Sequence, residues 1–155
     1  MQKVLLAQLP EFVRNVTATL ALDRNNTKAV VLGLRGELGA GKTTFVQQLA
    51  RQFGIRETLQ SPTYVLMKKY AMPEGLNAFG VPRRFKWLVH IDAYRLEKPE
   101  EFAALKPEQF LNDPSVLVVV EWPERLGKAL PTPDLNILFS SDGAAEGERY
   151  VQMEK

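Results

Sequence analysis

Cysteine is absent from the 155-residue sequence, which excludes disulfides and thiolate metal sites and is compatible with the cytoplasm. No apolar run approaches the length of a membrane-spanning helix. The stretch Met1 to Pro10 has one lysine and a short apolar piece but no convincing signal-peptide cleavage pattern, so it reads as mature protein. Internal repeats and low-complexity segments are lacking as well. The formal net charge of +2 is too small to imply, by itself, a nucleic-acid binder. What is present is ordinary for a soluble globular chain, with 45% apolar and 25% charged residues. The length suits one compact α/β domain with a real core, spanning 1–155.

One stretch stands out against this background. Gly36-Glu37-Leu38-Gly39-Ala40-Gly41-Lys42-Thr43-Thr44 matches the Walker A pattern of Gly, any four residues, then Gly-Lys-Thr. Such a loop must curl so that successive backbone N–H groups point at phosphate oxygens, and its glycines allow the curl. Lys42 can reach the β- and γ-phosphates, and the Thr43 hydroxyl can ligate magnesium. The context fits. Lys28 to Leu34 reads as a buried strand before the loop. Phe45, Val46, Leu49, Ala50 and Phe53 recur after it with helical spacing, and Gly54 sits where a helix would stop. That helix would aim its positive end at the same anion.

Elsewhere the chain alternates strands and helices. Val4 to Leu9 reads as a first strand; Pro10 and Glu11 suit the first turn of a helix with Phe12, Val13, Val16 and Leu20 as its apolar stripe. Asp23 to Asn26 is a polar turn. Tyr64 to Tyr70 and Phe85 to Ile91 read as two strands of an antiparallel hairpin around a Pro- and Gly-rich loop. Pro99 to Leu105 and Pro107 to Leu111 look like short helices. Val116 to Val120 should be a central buried strand, and Pro123, Pro131 and Pro133 mark the connection after it as irregular. Leu135 to Phe139 and Tyr150 to Met153 form a plausible C-terminal hairpin.

A phosphate loop needs an acid at the carboxyl end of a hydrophobic strand, to help hold magnesium or to orient water. Two positions qualify: Asp92, after Trp87 to Ile91, and Glu121, after Val116 to Val120. Either could also be a strand-end cap or a surface ion pair. Ser61-Pro62-Thr63 is a candidate nucleotide-sensing switch; a simple Pro-containing turn explains it equally well. His90, the only histidine, reads more as a packed or hydrogen-bonded strand residue than as a base. Trp122 could lie beside a nucleotide or fill core. Lys68, Lys69, Arg83, Arg84 and Lys86 cluster on the expected hairpin, as a solvated face or as a docking surface for tRNA or an acidic partner.

Taken in order, the Walker A stretch, Ser61-Pro62-Thr63-Tyr64, His90-Ile91-Asp92-Ala93-Tyr94-Arg95 and Glu121-Trp122-Pro123-Glu124 resemble the TsaE (YjeE) family of bacterial ATPases of tRNA threonylcarbamoyladenosine biosynthesis. The resemblance spans nearly the whole chain. It implies a P-loop NTPase-like three-layer sandwich with a mixed, mainly parallel central sheet and an antiparallel hairpin, binding ATP or ADP with Mg2+. By resemblance, the cradle is Glu37, Leu38, Gly39, Ala40, Gly41, Lys42, Thr43 and Thr44. Lys42 holds phosphate. Thr43 and Glu121 are the magnesium ligands, directly or through water. Asp92 assists hydrolysis as base or water-positioner. Thr63 belongs to the switch, and Trp122 lies close to the nucleotide. The base is expected near Glu11 and Phe12 and the region around Glu148. The implied partners are TsaB and TsaD, which modify adenosine 37 of tRNA, with tRNA reached through that complex and no membrane involved. Two departures accompany the resemblance: Glu37 replaces the Asp of many relatives, and the Ala71 to Arg84 loop is longer.

Three functions remain in view. The first is a slow ATPase that drives a tRNA-modifying complex in the cytoplasm. A P-loop small-molecule kinase is the second; after Glu121 the sequence offers Arg125 and Lys128 but no obvious lid. The third is a nucleotide-dependent binding module with negligible catalysis.

Overall fold

The structure, a computed structural model, describes residues 1–21, 27–60, 62, 66–75 and 84–154. Its centre is a pair of parallel strands, β2 (Val30–Arg35) and β5 (Val116–Glu121), in register from Val30 opposite Leu117 to Leu34 opposite Glu121. Both strands are apolar on both faces because both faces are covered. Strand β4 (Trp87–Asp92) lies parallel to β5 on one side, and β6 (Leu135–Ser140) lies parallel to β2 on the other.

Antiparallel strands complete the sheet. β3 (Met67–Ala71) pairs with β4, β7 (Glu148–Glu154) pairs with β6, and β1 (Gln2–Leu5) pairs with β7. The described strands follow the order β1-β7-β6-β2-β5-β4-β3, a mixed sheet in which the run β6-β2-β5-β4 is parallel. The expected hairpin of β3 and β4 and the C-terminal hairpin are both present. At the β3 edge, Lys68 and Lys69 discourage further strand pairing.

Side chains alternate between the sheet's faces, and two cores result. Val30, Leu32, Leu34, Leu88, Leu117 and Val119 face helices α1 (Leu9–Ala21) and α2 (Lys42–Gln52). Val31, Val89, Ile91, Val116, Val118 and Val120 face Phe102, Phe110, Leu126 and Leu130. Phe102 lies in the 3₁₀ segment Pro99–Leu105 and Phe110 in the short helix α3 (Glu108–Leu111), while Leu126 and Leu130 end two 3₁₀ turns that follow β5. Helices, sheet and a second helical layer make the expected three-layer sandwich. The α1 stripe of Phe12, Val13, Val16 and Leu20 is wholly buried.

The elements differ from the sequence expectation in a few places. The first strand stops at Leu5, because Leu6–Gln8 turn into a 3₁₀ helix. The Gln8 side chain accepts the Leu5 N–H there, and Leu6 N–H donates to the Gly147 carbonyl. Pro99–Leu105 is a 3₁₀ rather than an α-helix, opened by the Glu101 carboxylate accepting the N–H groups of Glu97 and Lys98. Tyr64 and Val65, expected to begin β3, lie outside the described residues, as do Ser61, Thr63, Arg83 and Asp23 to Asn26. No helix among the described residues is long and apolar enough to cross a membrane.

Phe45 joins three elements: its ring meets Phe12 of α1 and Phe139 of β6 edge-on, at centroid distances of 6.0 and 5.7 Å. It is fully buried. Phe45→Ala is expected to destabilise the protein by about 3–5 kcal/mol in urea unfolding. A change in midpoint equivalent to under about 1 kcal/mol would contradict this packing.

Candidate functional site

The loop between β2 and α2 is shaped by backbone conformations that side chains resist. Gly36 has φ 131°, and a Cβ there would overlap the Phe139 carbonyl oxygen. Gly41, at φ 100°, turns the chain into α2. The start of α2 has no side-chain cap and no acid in its first turn. Its leading N–H groups and the positive end of its dipole are thus left for an anion.

The loop is tied from behind to the C-terminal hairpin. Ser141 donates its N–H and its hydroxyl to the Glu37 carboxylate, the hydroxyl at 2.7 Å. These two bonds hold the Glu37 carboxyl below the ordinary glutamate range. Arg149 of β7 reaches the Gly39 carbonyl at 3.4 Å.

Lys42 is 4% exposed. Its ammonium donates to the carbonyls of Gly36 and Glu37 at 2.7 and 2.8 Å and lies 4.1 Å from the centre of the Trp122 ring. Burial pushes its pKa down, while the carboxylates of Glu121, Glu37, Asp92 and Glu124 oppose that shift.

Two acids stand side by side across β4 and β5, since Asp92 is the register partner of Glu121. The same alternation that sends Leu88, Leu117 and Val119 toward α2 sends His90, Asp92 and Glu121 there too. Glu121, 3% exposed, receives the Thr43 hydroxyl at 2.9 and 3.1 Å from its two oxygens. His90 Nε2 lies 2.8 Å from Glu121 Oε1. Asp92 is also buried, and its Oδ1 accepts the Tyr94 N–H at 3.0 Å.

Trp122 carries the strain of the site. At φ 61° and ψ 50° it occupies the left-handed region, rare for a bulky residue. Its N–H donates to the Leu34 carbonyl, and Pro123 follows at once. The bend lays its ring between Lys42 and Tyr94, whose ring centre is 5.2 Å away. The Arg125 guanidinium sits over Tyr94 at 5.3 Å.

Two cavities meet at Gly41 and Thr44. One, of about 370 Å³, is lined by Gly39, Lys42, Thr43, Asp92, Glu121 and Trp122 among others, and is polar. The other, of about 240 Å³, is mostly apolar and lined by Leu5, Leu6, Leu9, Phe139, Arg149 and Val151 among others. A polar cradle adjoining an apolar slot suits the phosphates and base of a nucleotide.

The family model of threonylcarbamoyl adenosine biosynthesis protein TsaE matches residues 8–151. The chain belongs to the TsaE family. The TsaE protein of Haemophilus influenzae is 33% identical over 127 residues, covering 81% of this chain and 73% of that protein. The TsaE protein of Nostoc sp. is 34% identical, over 83% of this chain and 75% of its own length. The crystal structure of Bacillus subtilis YdiB shares the fold, with a TM-score of 0.65 over 98% of this chain and 82% of that one, at 24% identity.

The residues that carried the TsaE resemblance are brought together, with exceptions. Leu38, Gly39, Gly41, Lys42, Thr43, Thr44, Asp92, Glu121 and Trp122 line the polar cavity, and Ala40 lines the apolar one. Glu37 stands behind the loop, on Ser141. Glu11 is exposed on α1 and lines neither cavity, while Phe12 is packed in the core. Thr63 lies outside the described residues. The region around Glu148 does reach the apolar cavity, through Gly147 and Arg149 on either side of it. Arg95, which closes the His90–Arg95 motif but had no role assigned from the sequence, lines the polar cavity. Leu6 in the apolar cavity was not singled out; its place there depends on the pairing of β1 with β7, for which the sequence carries no local signal.

Because the folded state holds the Glu37 carboxyl below its unfolded pKa, the tether stabilises above that value and is lost as pH falls through the folded value. Glu37→Gln should therefore lower the melting temperature at about pH 7, by a margin that narrows as pH falls and the carboxyl becomes protonated. A pH-independent difference in thermal melts would contradict the tether.

Proposed function

We propose that this chain binds ATP and ADP with magnesium at the Gly36–Thr44 loop and hydrolyses ATP slowly on its own. We further infer that it acts in the cytoplasm with TsaB and TsaD in tRNA threonylcarbamoyladenosine biosynthesis. The observation that carries the nucleotide reading is the uncapped start of α2 beside a buried Lys42, over a cavity floored by Thr43 and Glu121. The role in tRNA modification rests on membership of the family.

The residues fit the ligands. Lys42 can exchange the Gly36 and Glu37 carbonyls for phosphate oxygens of higher charge. Among the described residues no cluster of three or more His, Asp or Glu forms a ready metal cage. Magnesium bound with a nucleotide needs none, since phosphates and waters fill most of its sphere. Thr43 offers a hydroxyl oxygen whose hydrogen is already committed to Glu121, and Glu121 offers a carboxylate for a direct or water-mediated contact. When bound, magnesium supplies charge neutralisation at the phosphates.

Asp92, in register with Glu121 and on the same cavity wall, is placed to orient a water or take its proton. Thr63 is the proposed sensor of the terminal phosphate. Trp122 and Tyr94 shield the phosphate side, and the base would enter the slot between Leu6 and Arg149. The expected contact with Glu11 is replaced on this reading by the leucines preceding it.

Lys42→Ala should weaken ATP binding in calorimetry by at least about tenfold, near 1.4 kcal/mol. Asp92→Ala should leave binding within a factor of a few and slow hydrolysis by about 10²-fold or more. Equal loss of binding in both would contradict this division of roles. Steady-state hydrolysis should be slow alone and rise when TsaB and TsaD are added. Fast turnover indifferent to them would overturn the partnership, and phosphoryl transfer to a metabolite would mark a kinase instead.

A further inference from the structure

His90 is fully buried on β4, where its register neighbours are Lys68 and Val119. An aliphatic residue would fill that position without the cost of burying a polar ring. The imidazole has one hydrogen-bond partner among the described residues, Glu121 Oε1 at 2.8 Å, and Nδ1 has none. A carboxylate only accepts, so the ring carries a hydrogen on Nε2.

Glu121 is thus gripped from two sides. Oε1 meets both His90 Nε2 and the Thr43 hydroxyl, and Oε2 meets the hydroxyl alone. With Oε1 anchored by the ring, the carboxylate has one orientation. In that orientation it draws the hydrogen of Thr43 toward itself, which turns the hydroxyl lone pairs away. Thr43 and Glu121 both line the polar cavity; His90 does not.

We propose that His90 is a positioning residue: by donating from Nε2 to Glu121 it pre-sets the Thr43–Glu121 pair for a hard divalent cation carried in with the nucleotide. The ring acts through Glu121 and touches neither cation nor nucleotide. It governs how much magnesium adds to nucleotide affinity, not the affinity of the loop for phosphate. This rests on the nucleotide-and-magnesium reading above.

Two measurements test it on the full, untagged chain. His90 is the only histidine, so ¹⁵N-imidazole NMR of the wild-type protein reports one ring. The Nε2–H tautomer is expected; the Nδ1–H tautomer would overturn the proposal without any substitution. The second measurement is calorimetric titration of ADP in magnesium and in EDTA. In His90→Leu the gain in affinity that magnesium confers should shrink by about 10–100-fold, with ADP affinity in EDTA held within about twofold. His90→Gln, whose amide nitrogen can replace Nε2 as a donor, should keep most of that gain. An unchanged magnesium gain in His90→Leu, equal losses with and without magnesium, or a Gln variant as impaired as the Leu variant would each overturn it. Absence of ADP binding by the wild-type protein would instead overturn the nucleotide reading itself.

Discussion

The carboxylate of Glu121 ends the most apolar strand of the chain, buried at the carboxyl edge of the sheet. A charge in that position must be met by donors, and the surrounding structure supplies them. One comes from Thr43, the second residue of α2, and one from His90 on the neighbouring strand. The carboxylate therefore fixes α2 against β5 and β4 at the point where loop, helix and sheet converge. Asp92, its register partner, and Trp122, its successor, take their places from the same strand end.

The loop itself is held from the other direction. Gly36 lies so close to Phe139 of β6 that it has no room for a side chain. Ser141, just past β6, grips Glu37, and Arg149 of β7 reaches Gly39. The C-terminal hairpin thus supports the loop and, with β1 beside it, forms the apolar slot. Polar cradle and slot are products of opposite halves of one sheet, joined at Gly41 and Thr44.

Much of this was legible in the residues. Strand, glycine loop and helix follow from local pattern, because loop chemistry dictates spelling. Asp92 and Glu121 were visible as acids ending apolar strands, and strict alternation along β4 and β5 could have placed His90 on their face. The hydrogen bond from His90 to Glu121 was less accessible, since it depends on β4 lying beside β5 across an intervening 23 residues. The resemblance pointed to the β7 side of the slot, around Glu148, but the β1 side was hidden for the same reason: β1 and β7 come from opposite ends of the chain. The family resemblance put the base near Glu11, but the 3₁₀ turn at Leu6–Gln8 brings leucines to the slot in its stead. The left-handed bend at Trp122 leaves no mark in the sequence beyond the proline after it.

The central claim, that the Gly36–Thr44 loop is a magnesium–nucleotide site, is tested most directly by a crystal structure grown with ADP and magnesium. The account predicts the β-phosphate inside the loop against Lys42, the cation within coordination distance of the Thr43 hydroxyl on the Glu121 side, and the base between Leu6 and Arg149. A nucleotide bound outside the loop, or a cation held away from Thr43 and Glu121, would contradict it.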